Sequence, residues 1–157
     1  MQNALAAVFV AIVIGLFAAC TPKPASKSSE PQIVLAQAGP VQDVVKGAMA
    51  RAKNEGRRLV VYVGASWCEP CHVFLDGVTA GKLPATLSDI VILKFDNDAD
   101  DVRLAKANYG GEMIPRFVAP RADGTGSEFR FEGSVKGDAA MGNIVPRLEA
   151  LLANVQD

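Results

Sequence analysis

Cys68 and Cys71 stand two residues apart in Trp67-Cys68-Glu69-Pro70-Cys71, directly behind the apolar run Leu59-Val60-Val61-Tyr62-Val63. This juxtaposition constrains the fold more than any other stretch of the chain. An apolar run rich in β-branched residues reads as a central strand. A helix beginning at Cys68 then puts both sulfurs in its first turn. First-turn N–H groups have no intrahelical acceptor, and the helix dipole is positive there. Both effects favour a thiolate, the form that attacks disulfides. Pro70 is tolerated in a first turn, where its missing N–H is not needed. The spacing also lets the sulfurs close a small ring and so exchange two electrons.

Three chemistries use a cysteine pair at this spacing: zinc ligation, haem attachment and dithiol redox exchange. Zinc is short of ligands. Beyond the pair only Cys20 and His72 are soft donors, and His72 adjoins Cys71 too closely to complete a tetrahedral site. No metal site is expected. Cys68-Glu69-Pro70-Cys71-His72 does match the attachment motif of c-type cytochromes, with His72 as proximal ligand and Met49, Met113 or Met141 as distal ligand. The Val- and Tyr-rich run ahead of the motif suits an α/β sheet better than a small helical cytochrome. The dithiol reading therefore leads, and a monohaem electron carrier stands as its alternative.

The chain's 157 residues make one domain once an N-terminal segment is set aside. Its 16 basic and 17 acidic residues leave a formal net charge of −1. That balance offers neither the footprint of a nucleic-acid binder nor a polybasic membrane patch. Residues 4–19 are uncharged and end in Ala18-Ala19, ahead of Cys20. The run falls short of the ~20 residues that span a bilayer, and it ends in small residues as a signal-peptide cleavage region does. Leu16-Phe17-Ala18-Ala19-Cys20 resembles the bacterial lipobox, although Phe17 replaces the usual aliphatic residue and no Lys or Arg precedes the run. The resemblance implies a signal peptide over residues 1–19, a lipidated Cys20 and an extracytoplasmic, membrane-anchored protein, on the periplasmic face in a Gram-negative cell. An ordinary secretory signal and an uncleaved anchor are the alternatives. The Pro/Ser/Lys-rich stretch up to residue 32 reads as a flexible tether, which leaves 33–157 as the folded domain.

Hydrophobic periodicity places the remaining elements. Residues 33–36 read as a short strand. Pro40 opens a helix to about Asn54, with Val41, Val44, Val45, Ala48, Met49 and Ala52 on one stripe and Gly56 past its end. Residues 59–64 form a central strand, and the motif helix runs to about Gly77. Residues 90–95 form the next strand. The acidic run from Asp96 to Asp101 reads as a helix cap and not a calcium loop, since Asp101 and Ala107 fill positions that need Gly and Glu. A helix over 100–108 follows, then a strand over 117–119, a turn at Asp123-Gly124 and an antiparallel strand over 128–131. The final helix covers 138–154, with Pro146 near its start. The expected product is an α/β fold: a mixed sheet of four to five strands with helices on both faces.

This order, with a tryptophan-led cysteine pair after a central strand, resembles the thioredoxin family over residues 33–155. Lys94, Tyr109-Gly110, Ile114-Pro115 and Gly133 fall in the family's register. The resemblance implies a thiol–disulfide oxidoreductase whose redox-active disulfide joins Cys68 to Cys71, with Cys68 exposed and attacking and Cys71 buried and resolving. It implies a cis bond before Pro115, substrate docking along Ile114 and Pro115, and Trp67 shaping the site. No dissociable cofactor is expected. The partners would be protein thiols and disulfides and an upstream redox protein. A thioredoxin-like binding module without turnover is a further alternative. The chain departs from the family at Tyr62, where an acidic residue is usual, at Glu69 between the cysteines, and at Arg116 after the proline. Glu69-Pro70 is similar to the pair in extracytoplasmic thiol reductases of cytochrome c maturation. The loop and acidic helix after the motif resemble the C-terminal domain of transmembrane disulfide reductases.

Overall fold

The computed structural model describes residues 30–154. The expected signal peptide, Cys20 and most of the tether lie outside the described residues.

Five strands form one sheet: β1 (Gln32–Leu35), β2 (Arg58–Gly64), β3 (Ile90–Asp96), β4 (Arg116–Pro120) and β5 (Gly126–Glu132), in the order β1-β3-β2-β4-β5. The pairs β1–β3 and β2–β3 are parallel, whereas β4 runs antiparallel to both β2 and β5. Helix-linked strands pair parallel and the β4–β5 hairpin cannot, which accounts for the mixed sheet. Four α-helices lie among the described residues: α1 (Val41–Asn54), α2 (Glu69–Thr79), α3 (Asn97–Lys106) and α4 (Ala139–Ala153).

Strand alternation divides the core in two. Val60, Tyr62, Ile92, Phe117 and Ala119 pack with α2 and α4, while Val61, Val63, Leu93, Phe95 and Val118 pack with α1 and α3. Because both faces are covered, β2 is apolar at every position from Leu59 to Val63, so the run reads as continuous and not alternating. On the α2/α4 face Phe74, Tyr62 and Phe117 form an aromatic cluster with centroids 4.9–5.8 Å apart. Such pairs contribute about 0.5–1.5 kcal/mol each beyond area burial. The Met141 side chain of α4 packs over Gly77 of α2, where a Cβ would overlap it.

Several boundaries differ from the sequence reading. α3 starts at Asn97 and not residue 100, because the Asp96 carboxylate caps it directly, accepting from the N–H groups of Asp98 and Ala99. α4 runs through Pro146, which does not mark its start. A proline there forfeits one backbone hydrogen bond, but Ile144, Leu148, Leu151 and Leu152 bury the helix firmly against the sheet. β5 begins two residues earlier than expected and ends at Glu132.

Candidate functional site

The site lies where β2 ends and α2 begins. Cys68 is the N-cap of α2 and Cys71 sits in its first turn. The helix therefore starts one residue later than the sequence suggests, and Cys68 is its extended entry residue. The Cys68 carbonyl accepts the His72 N–H at 3.2 Å, the first bond of the helical ladder. The two sulfurs form a disulfide, with Cα atoms 5.2 Å apart.

Both cysteines are buried, Cys68 at 4% and Cys71 at 2% exposure. The expectation that Cys68 is exposed and Cys71 hidden does not hold in this disulfide form. Both cysteines belong to the apolar cluster that includes Ala65 and Phe74, and Ile114 packs against that cluster. Trp67 is the opposite case. Its ring is 67% exposed, and its Nε1 donates to the Asp98 carboxylate at 2.7 Å.

The Ile114–Pro115 peptide is cis. Trp67, Met113, Ile114 and Val135 line a shallow groove of about 550 Å³, with Glu132 and Arg147 on its polar side. Met113 and Val135 are exposed, at 57% and 47%. The groove thus brings Trp67 together with the loop that carries Ile114 and Pro115.

Three departures noted in the sequence have structural counterparts. Tyr62 is fully buried, and its hydroxyl has no hydrogen-bond partner among the described residues. Burial pushes its pKa well above the ordinary tyrosine value, so the phenol stays neutral and cannot act as a base near neutrality. Glu69 is exposed, and its carboxylate accepts the Gly137 N–H at 2.9 Å, which ties the motif to the loop ahead of α4. Arg116 is 1% exposed and faces Glu132 at 3.3 Å. Burial pulls the Arg116 pKa below its ordinary value, and Glu132 opposes that shift.

His72 lies on the helix surface, with Nε2 donating to the Ser66 carbonyl at 2.6 Å. The nitrogen that a haem iron would need is turned back on the chain. Met49 and Met141, two of the three candidate distal ligands, pack against the cores on opposite faces of the sheet. These residues do not fit a haem bound through Cys68, Cys71 and His72. Among the described residues no three His, Cys, Asp or Glu side chains stand together as a metal site requires.

Sequence reasoning missed Asp98 and Glu132. An exposed indole N–H can be satisfied by water, so nothing in the sequence points to Asp98 as its acceptor. Glu132 is found only through the register of β4 against β5.

A thioredoxin-like family model matches residues 41–120, from the start of α1 to the end of β4 and just over half of the chain. The chain belongs to the thioredoxin-like family, and its mixed five-stranded sheet is the fold class expected from the sequence. A relative, the H-type thioredoxin of Fagopyrum esculentum, is 34% identical over 70 residues, which are 43% of this chain and 55% of that protein. The chain thus spans about half the length of that relative. Similar solved structures include thioredoxin O1 from Arabidopsis thaliana in the oxidized state, with a TM-score of 0.48 and 20% identity over 80% of this chain and 99% of that one. Another is Trxlp from Edwardsiella tarda EIB202, with a TM-score of 0.45 and 17% identity over 73% of this chain and 98% of that one.

Proposed function

We propose that this protein is a thiol–disulfide oxidoreductase acting on protein substrates in the cell envelope, held at the membrane by a lipid on Cys20. The observation that carries the redox reading is the Cys68–Cys71 disulfide at the N-terminus of α2, in a thioredoxin-like domain. The envelope reading rests on the uncharged segment 4–19 ending at Cys20, followed by the Pro/Ser/Lys-rich stretch.

In the reducing direction the Cys68 thiolate attacks one sulfur of a substrate disulfide. A Cys68–substrate disulfide forms, and the other substrate sulfur leaves as a thiolate. Cys71 loses its proton and attacks the Cys68 sulfur, which expels the second substrate sulfur and closes the Cys68–Cys71 bond. Two electrons pass from the dithiol to the substrate, whose sulfurs take up two protons. An upstream dithiol protein restores the reduced pair by the same exchange, and the reverse sequence oxidises a substrate dithiol. The partial positive charge of the α2 N-terminus favours thiolate at Cys68. Trp67 and Ile114 flank the approach, and the loop before Pro115 offers backbone to an extended substrate chain.

The test is turnover of a disulfide-bonded polypeptide by the full-length chain, with a small dithiol as reductant. Wild type is expected to accelerate reduction and Cys68→Ser to lose the acceleration. Wild-type protein no faster than the small dithiol alone would leave the binding-module reading in its place. The equilibrium potential then sets the direction: about −270 mV suits a reductant and about −120 mV an oxidant.

A further inference from the structure

Strand β5 holds the loop that presents Ile114 and Pro115. Arg130 donates to the carbonyls of Asn108 and Gly110, at 2.7 and 3.2 Å. Oε2 of Glu132 accepts two successive loop N–H groups, those of Glu112 at 3.0 Å and Met113 at 2.9 Å. Its other oxygen faces the buried Arg116 guanidinium at 3.3 Å, and Arg116 in turn donates to the Tyr109 carbonyl at 3.1 Å. Gly111 lies directly over this pair. A Cβ there would overlap both Glu132 Oε1 and Arg116 Nε.

The arrangement has a physical logic. A buried guanidinium is tolerated only beside a counter-charge, so Arg116 fixes where the Glu132 carboxylate sits. A carboxylate so fixed is a strong acceptor, and two consecutive N–H groups converging on one of its oxygens set the direction of the loop. The next residue is Ile114, which packs against the cluster containing both cysteines. Met113, on the same anchored segment, projects into the groove beside Trp67. The side chains that a substrate meets are therefore held by a carboxylate at the polar side of the same groove.

We propose that Glu132 is a positioning residue for substrate docking, with Arg116 as its counter-ion: its carboxylate holds the Glu112–Ile114 backbone in place to receive an extended polypeptide beside the disulfide. The proposal rests on the thiol–disulfide reading. It predicts that polypeptide substrates depend on Glu132 more than small disulfides, which need no docking strand.

Two variants of the full-length chain test it. Glu132→Gln keeps an oxygen that accepts from the loop but loses the charge. The double variant Arg116→Met with Glu132→Ala removes the anchor without leaving a buried charge unpaired. The double variant is expected to raise KM for a disulfide-bonded polypeptide about tenfold or more, the worth of one charge-assisted hydrogen bond. Its loss of kcat/KM on a small aromatic disulfide is expected to be clearly smaller than its loss on the polypeptide. Glu132→Gln keeps an acceptor but leaves Arg116 without its counter-charge, so it is expected to fall between wild type and the double variant in polypeptide KM. Amide hydrogen exchange needs no turnover: Glu112 and Met113 lose protection in the double variant and lose less of it in Glu132→Gln, whose amide oxygen still accepts. An unchanged polypeptide KM, equal losses on both substrates, or unchanged amide protection in the double variant overturns the proposal. Wild-type protein inert on both disulfides overturns the thiol–disulfide reading instead, and the exchange data then still decide whether Glu132 anchors the loop.

Discussion

The indole of Trp67 donates to the Asp98 carboxylate, joining the residue ahead of the disulfide to the first turn of α3 across 31 positions of sequence. The ring is otherwise mostly exposed, so this bond is its main polar restraint. The chain has one tryptophan, so its fluorescence reports this side chain alone. Asp98→Ala is expected to lower the emission anisotropy and to increase quenching by acrylamide. Global stability is expected to fall by no more than about 0.5–1.5 kcal/mol, the usual worth of a single hydrogen bond. Unchanged anisotropy and quenching would show that the bond does not restrain the ring in solution.

Tyr62 carries a buried hydroxyl without a partner among the described residues, inside the aromatic cluster of the α2/α4 face. A buried donor left unpaired costs about 1–3 kcal/mol. Tyr62→Phe keeps the ring and removes that cost, so the variant is expected to be as stable as wild type or more stable, by up to about that amount. The denaturant midpoint at unchanged slope checks it. A clear loss of stability would mean that the hydroxyl is hydrogen-bonded in solution. The phenol is neutral at working pH, so the variant is also expected to keep the pH profile of turnover.

The site was legible in part because its residues are near one another in sequence. Cys68, Cys71 and Trp67 form a single local motif, and a strand with both faces covered announces itself by being apolar throughout. The burial of Cys68 was not legible, because its cluster is completed by residues such as Phe117 and Ile114 that arrive from distant parts of the chain. The role of Glu132 was hidden by a bulge. Strand β5 pairs Pro120 with Gly126 near the turn, and extending that register would set Arg116 against Arg130. The irregularity between Val118 and Pro120 shifts the pairing, and Arg116 meets Glu132 instead. A bulge leaves no reliable mark in composition or periodicity. The start of α3 was misplaced for a simpler reason: the last strand residue, Asp96, serves at once as helix cap.

Cys68 is the N-cap of α2 and Cys71 lies in its first turn. The proposed mechanism gives Cys68 the attack and Cys71 the resolution, which single substitutions separate. In Cys71→Ser the mixed disulfide between Cys68 and a substrate has no resolving thiol. Such complexes are expected to accumulate and to survive non-reducing electrophoresis, whereas Cys68→Ser is expected to form few. Equal trapping by the two variants would overturn this division of roles while leaving the redox pair itself intact.

The lipid anchor is tested by mass. Cys20 follows an uncharged segment that ends in two alanines, and a Pro/Ser/Lys-rich stretch follows it. If Cys20 is lipidated, the mature chain begins there and fractionates with membranes, although its net charge is close to zero. A single acyl chain binds membranes only marginally, at about 0.8 kcal/mol per buried CH₂, whereas several chains hold firmly. Membrane association is therefore expected to resist high salt and to yield to detergent. Cys20→Ser is expected to block lipid-dependent processing and leave a longer, unmodified precursor. Intact-mass measurement on the membrane fraction decides between the outcomes. A mature N-terminus at Cys20 carrying diacylglycerol supports the lipoprotein reading. An unmodified chain starting elsewhere favours an ordinary secretory signal, and a retained Met1 favours an uncleaved anchor.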